Sequence, residues 1–301
     1  SLALVLLALP ASASHFRYGT IQWRVADPVN APLTVDFTVL HAWRISPYMA
    51  LQFGDGQSAP NTPGTAVGSG VDAGGLPYTV YKATLPHTYP SPGSYKAYFN
   101  SCCRIGPPGS PKAQNGANKS FRVETTIDLN TANPPNQSGP VSSAPGFPVP
   151  MKVGGVRTYT FPVTDYDFDP VSCRIATSTE AGFSPTTPTA TMGNTKPTLK
   201  ITPEGDGCEV TWDLSQMGAG QVGQIYVLPI MMESTHQGNT SRTVIDLMIE
   251  MVSSTAKLPG CGTGGVFIAN RNQAMPFSHI VTGTDTSSSL KMTSINAPTA
   301  A

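Results

Sequence analysis

Leu33-Thr-Val-Asp-Phe-Thr-Val-Leu-His-Ala-Trp43 places an apolar side chain at every second position through Leu33, Val35, Phe37 and Val39. A period of two marks a β-strand with one buried face, because successive side chains leave opposite sides of the pleat. Shorter β-prone runs surround it at 18–25, 49–53, 78–85, 94–100 and 120–127. Gly54-Asp-Gly56 reads as a tight turn, since glycine reaches positive φ and aspartate bonds its own backbone. The Gly/Pro/Ser-rich stretch 58–75 reads as an exposed loop. Residues 130–148, rich in Pro, Asn and Ser, read as a linker with little tendency to bury itself. Candidate strands resume at 156–163, 171–177, 198–202, 208–214, 224–232 and 242–252. In the last of them Val244, Ile245, Leu247, Ile249 and Met251 form a nearly continuous apolar run, suited to a strand covered on both faces.

Composition agrees with many short strands. Gly and Pro number 29 each, which disfavours long helices. Lys+Arg and Asp+Glu are equal at 18, with no basic cluster, so nucleic acid and acidic membrane surfaces are poor partners. Residues 1–14 form an apolar run ending in Ala11-Ser-Ala13, which reads as a signal-peptide core and cleavage site; it is too short to span a bilayer, and no later segment qualifies.

Export makes disulfides the expected state of the five cysteines. Cys173 and Cys208 lie within one predicted sandwich and are the expected pair. Cys102 and Cys103 are adjacent, which permits either one vicinal bridge or two separate ones. Cys261 is the odd residue, with a partner expected beyond this sequence. No cysteine or histidine spacing suits zinc.

Asp165, Asp167 and Asp169 alternate, so on an extended segment their carboxylates would share one side, with Tyr166 and Phe168 turned to the core. Converging carboxylate oxygens suit a hard cation, and calcium is the expected occupant. It takes about six to eight oxygens, so neighbouring segments must supply the remainder. The competing reading is an Asp-rich turn whose side chains cap backbone N–H groups. Asp55, between two glycines, reads as a turn former, and His87 and Tyr89 as architecture. Trp212, beside Val210 in an alternating strand, reads as core. Trp43 and Tyr48 are the expected exposed ligand surface. Asn118-Lys-Ser120, Asn136-Gln-Ser138 and Asn239-Thr-Ser241 are N-glycosylation sequons in predicted loops. Protease, esterase and phosphate-loop motifs are missing. The enzymatic alternative is a copper-binding brace of an N-terminal His15 with His41 or His87, which cleavage after Ala13 would disable by leaving Ser14 in front.

Phe53-Gly-Asp-Gly56 and His87-Thr-Tyr-Pro-Ser-Pro-Gly-Ser-Tyr95 resemble the signature of PKD-like immunoglobulin-fold repeats, over about the second half of the first unit. The insertion 58–75 and the Cys102-Cys103 pair depart from it. Thr164-Asp-Tyr-Asp-Phe-Asp-Pro170 and Gly207-Cys-Glu-Val-Thr-Trp212 resemble cadherin-like and putative-Ig repeats of bacterial surface proteins. These resemblances imply extracellular adhesion, display or spacer roles, often with calcium.

The expected fold is therefore all-β, with tandem immunoglobulin-like antiparallel β-sandwiches: a signal peptide 1–14, a PKD-like domain 15–129, a linker 130–139, a cadherin-like domain 140–252, and the opening of a third module at 253–301. The last rests on an echo of 158–167 in 277–286. The expected function is non-catalytic adhesion or spacing outside the cell, stiffened by calcium, with extracellular proteins, surface glycans or further copies of the chain as partners. A carbohydrate-binding module of a larger secreted enzyme is the alternative.

Overall fold

The structure, a computed structural model, describes residues 16–45, 47, 49–72, 75–105, 112–116, 119–130, 135–142, 148–182, 196–256, 260–261 and 281–282. The signal-peptide reading, His15, Tyr48 and nearly all of the repeat echo at 277–286 lie outside them.

The chain is all-β. Its strands are β1 (Phe16–Asp27), β2 (Ala31–Trp43), β3 (Thr65–Val71), β4 (Pro77–Thr88), β5 (Ser94–Ser101), β6 (Lys112–Ala113), β7 (Phe121–Asp128), β8 (Val141–Ser142), β9 (Val149–Lys152), β10 (Val156–Thr164), β11 (Val171–Ile175), β12 (Thr198–Ile201), β13 (Gly207–Asp213), β14 (Gln224–His236), β15 (Asn239–Val252), β16 (Gly260–Cys261) and β17 (Val281–Thr282). Among the described residues the single helical element is a 3-10 turn, Ala219–Gln221. Residues up to Val252 form one compact unit, and β16 and β17 pair antiparallel in a second.

The first unit is built from mainly antiparallel sheets around two main apolar cores. In the first, Val35, Phe37 and Val39 of β2 are fully buried, as their alternation predicts, and pack with Phe99 of β5 and Phe121 of β7. Phe16 stacks on Phe121 with centroids 3.9 Å apart. In the second, Phe161 of β10 and Trp212 of β13 close over Leu228, Leu247 and Met251 of β14 and β15. Each such side chain taken out of water contributes about 1.5–3 kcal/mol.

β15 pairs with strands of both cores, while its own buried apolar side chains from Ile245 to Met251 lie in the second. Near its start it pairs with β7 (Thr243↔Thr125), in its middle with β1 (Gly19↔Asp246), at its end in parallel with β9 (Ile249↔Val149), and along its length with β14. It is covered on both faces, which is why Val244 to Ile249 are buried without alternation. The β14–β15 hairpin turns through Gln237 (φ 46°) and Gly238 (φ 87°), the left-handed pair that a two-residue hairpin needs.

Three local readings are corrected. The segment 49–53 forms bridges at Gln52 but no strand. Thr65–Val71, inside the expected loop, is an edge strand on β4; its alternation is faint because an edge strand buries little on either face. The expected linker is partly interior: Asn136 and Ser138 are buried, and Val25 N–H donates to Gln137 O at 2.7 Å. Pro, Asn and Ser mark non-repetitive backbone, and such backbone can still be buried where its polar groups find partners.

Candidate metal centre

β10 ends at Thr164 because the chain turns there. Phe168 N–H donates to Asp165 O at 3.1 Å and Phe168 takes φ 63°. This turn, rather than strand alternation, brings Asp165, Asp167 and Asp169 together, with one carboxylate oxygen from each within 4.8 Å of the others. The expected orientation of the aromatics is reversed. Phe168 is 94% exposed and Tyr166 40%, since a left-handed residue breaks the period that would have turned them inward.

The three carboxylates differ in surroundings. Asp167 Oδ2 accepts from Gln137 N–H at 2.8 Å, Ser138 N–H at 2.9 Å and Ser138 Oγ at 3.2 Å. Asp169 accepts from His236 Nδ1 at 3.1 and 2.9 Å. Asp165 Oδ1 accepts from Ser138 Oγ at 3.0 Å and from Asp167 N–H at 2.9 Å. Its Oδ2 is buried without a hydrogen bond, although the Ser234 hydroxyl is near enough to favour the charged form. Burial pushes the Asp165 carboxyl above the ordinary carboxylate range, against the Ser234, Asp167 and Ser138 donors. The capping reading therefore holds for Asp167 and for Oδ1 of Asp165, while Oδ2 of Asp165 is buried without a hydrogen bond.

Sequence reasoning missed Ser138 and His236. Ser138 lies in the presumed linker, and His236 is 67 residues from Asp169. Only the hairpin register, which ends at His236↔Asn239, places His236 beside the acidic loop.

The expected ligand surface fails at Trp43, which is 1% exposed. It packs edge-on against Phe16 (5.3 Å) and Phe121 (5.5 Å), and its indole N–H donates to His41 Nδ1 at 2.6 Å. Strand β7 covers this end of β2, a neighbour that the local sequence does not announce. His41 Nε2 donates to Pro63 O at 2.9 Å, so both ring nitrogens are engaged and neither is open to a metal. Burial lowers the His41 pKa to about 4, opposed by the Pro63 carbonyl. An unfolded histidine near 6.5 then binds a proton that the folded one refuses, so stability is full above about pH 6.5 and declines as pH falls toward 4. The decline amounts to about 3 kcal/mol. Denaturant melts from pH 7 to 4 should show a shallower decline for His41→Gln than for the natural chain; parallel slopes would refute the assignment.

Asp55, His87 and Tyr89 are architectural. Asp55 Oδ1 caps Gln57 N–H at 2.9 Å, and its Oδ2 holds His87 Nε2 at 2.7 Å. His87 stacks on Phe53 at 3.9 Å, and Tyr89 OH donates to Phe53 O at 2.9 Å.

A disulfide joins Cys173 of β11 to Cys208 of β13 across the second core, and another joins the neighbours Cys102 and Cys103.

An all-β protein of mainly antiparallel sheets, with internal disulfides and an acidic loop, is thus defined. Residues 17–130, just over a third of the chain, match the family model described as Integrin beta-like protein A-E, N-terminal. The match takes in most strands of the first core, including the Phe53–Gly56 and His87–Tyr95 segments. Among solved structures, the chain is similar to a chimeric titin Z1Z2-Z1Z2 tandem functionalised with a GRGDS exogenous peptide from fibronectin, at 13% identity over 72% of this chain and 90% of that one, with a TM-score of 0.24. No curated protein matches the chain. Among the described residues no helix is long and apolar enough to cross a membrane.

Proposed function

We propose that the chain is a non-catalytic extracellular adhesion or spacer protein whose acidic loop binds calcium. The similarity of residues 17–130 to integrin beta-like proteins supports the adhesive role, and the sandwich scaffold suits it by holding loops at its ends. The observation that carries the metal is the buried, undonated Oδ2 of Asp165 beside two further carboxylates. A hard cation satisfies that oxygen without a donor, and Asp165, Asp167 and Asp169 would hold it, with water completing the shell. Binding would draw Asp169 from His236 and tie the 165–169 turn more firmly to 136–138.

Calcium at a hundredfold excess over its Kd should raise stability by about 2.7 kcal/mol. For a unit of this size that is roughly 5–10 °C in Tm. Asp165→Asn should abolish the shift, yet leave the metal-free protein as stable or more so, because it removes a disfavoured buried charge. Thermal melting in calcium and in chelator reads both effects, and an equal calcium shift in natural chain and variant would overturn the site. For the adhesive role, beads coated with the chain should attach to cells or to one another more strongly in calcium than in chelator; failure to attach in either would overturn it.

A further inference from the structure

We infer that Asn239 is a site of N-linked glycosylation and that the first sugar of the glycan lies in the polar cleft beside it. This rests on the extracellular reading above and separates two sequons that the sequence leaves equivalent; Asn118 lies outside the described residues.

Asn136 is only 4% exposed. Its Nδ2, the atom a sugar would occupy, donates to Ser241 Oγ at 3.1 Å, and the hydroxyl of Ser138, its sequon serine, is committed to Asp165 and Asp167. A glycan on Asn136 is incompatible with this packing. Asn239 has the opposite setting. It opens β15 at the tip of the β14–β15 hairpin, half-exposed beside the exposed Gln237 and Gly238, and no hydrogen bond engages its side-chain amide among the described residues.

The tip also borders a cleft of about 310 Å³, whose walls include Ser94, Asp128, Asn130, Thr240 and Arg242 beside Asn239. That volume is at the low end for a small-molecule site. No apolar side chain lines it, so it offers nothing to a hydrophobic ligand and many donors and acceptors to sugar hydroxyls and an acetamide. Asn130 Nδ2 donates to Asp128, and Arg242 Nε donates to Glu233 at 2.7 Å, so two of the wall side chains are already held in place.

The donor is a lipid-linked diphosphate oligosaccharide of the secretory membrane. The bond from sugar C1 to the diphosphate oxygen breaks, a bond from C1 to Asn239 Nδ2 forms, the amide gives up one proton, and the lipid diphosphate leaves. No oxidation is involved. Because Ser241, the third sequon residue, is fully buried against Asn136 in the folded chain, transfer precedes closure of the hairpin.

The test is the full chain expressed behind a host-supplied signal in a eukaryotic secretory host, with glycosidase treatment and peptide mass spectrometry. The expected result is a glycan on the Asn239 peptide and none on the Asn136 peptide. Asn239→Gln, or the isosteric Asn239→Asp if the former is not secreted, should lose that glycan. On the native protein, removal should be several-fold slower than after denaturation. An unmodified Asn239 or an occupied Asn136 in secreted, folded protein would overturn the site, and equally fast removal would overturn its seat in the cleft. Since the signal is supplied, an empty Asn239 counts against the site alone; whether the natural chain is exported is a separate measurement.

Discussion

Arg104→Met is expected to destabilise the chain by about 3–5 kcal/mol, the cost of leaving a buried charge without its partner. Arg104 and Asp246 are both fully enclosed, and Arg104 Nε and Nη2 donate to Asp246 Oδ2 at 3.1 and 2.6 Å. The same guanidinium donates to Ala181 O at 2.7 Å and to Ser120 O. It thereby fastens the loop after the Cys102–Cys103 disulfide, the start of β7 and the turn after β11 onto β15. Burial pushes both groups toward neutrality, Asp246 upward and Arg104 downward, and each holds the other's charge. Asp246 Oδ1 already lacks a donor, so removing Arg104 leaves the carboxylate with none of the protection it had. In the double variant Arg104→Met with Asp246→Leu no charge remains to be desolvated, and its loss should be smaller than the sum of the single losses. Urea denaturation of the four proteins measures the coupling. Additive losses, or a single variant within about 1 kcal/mol of the natural chain, would show that the pair does not hold the seam.

Trp43→Ala should cost about 3–5 kcal/mol by opening a cavity between β2 and β7. Trp43→Phe should recover most of this. What it does not recover is the indole N–H, and His41 Nδ1 is then a buried acceptor without a donor, at about 1–3 kcal/mol. Combining Trp43→Phe with His41→Gln tests the bond, since the two losses should not add. An exposed sugar platform would behave differently: stability would be almost unchanged and glycan binding would fall. Thermal melts and a glycan panel run on the same variants distinguish the outcomes.

Those two predictions concern residues that local patterning misplaced or passed over. Arg104 and Asp246 are 142 residues apart, and nothing near either of them signals the other. Asp246 interrupts an apolar run, and only its register opposite Gly19 shows what it does there. Trp43 sits where the alternation of β2 ends, so its burial depends on a strand that arrives much later in the chain. Tyr166 and Phe168 face outward because the backbone turns at Asp165, before the strand period can reach them.

The acidic loop was legible for a different reason. Its three carboxylates are near neighbours in sequence, and both an extended strand and the observed turn bring them together. Their individual character was not legible, because Ser138 and His236 reach them from other parts of the chain.

By itself, then, the sequence determined most of the long strands, the Gly54–Gly56 turn and the acidic loop, which follow from the alternation of side chains and from turn chemistry within a few residues. Only the tertiary structure decided which strand pairs with strands of both cores, that Trp43 is covered, which buried charges pair and which sequon stays open. Those depend on contacts between distant segments, where burial changes the energy of a polar group more than any local preference does.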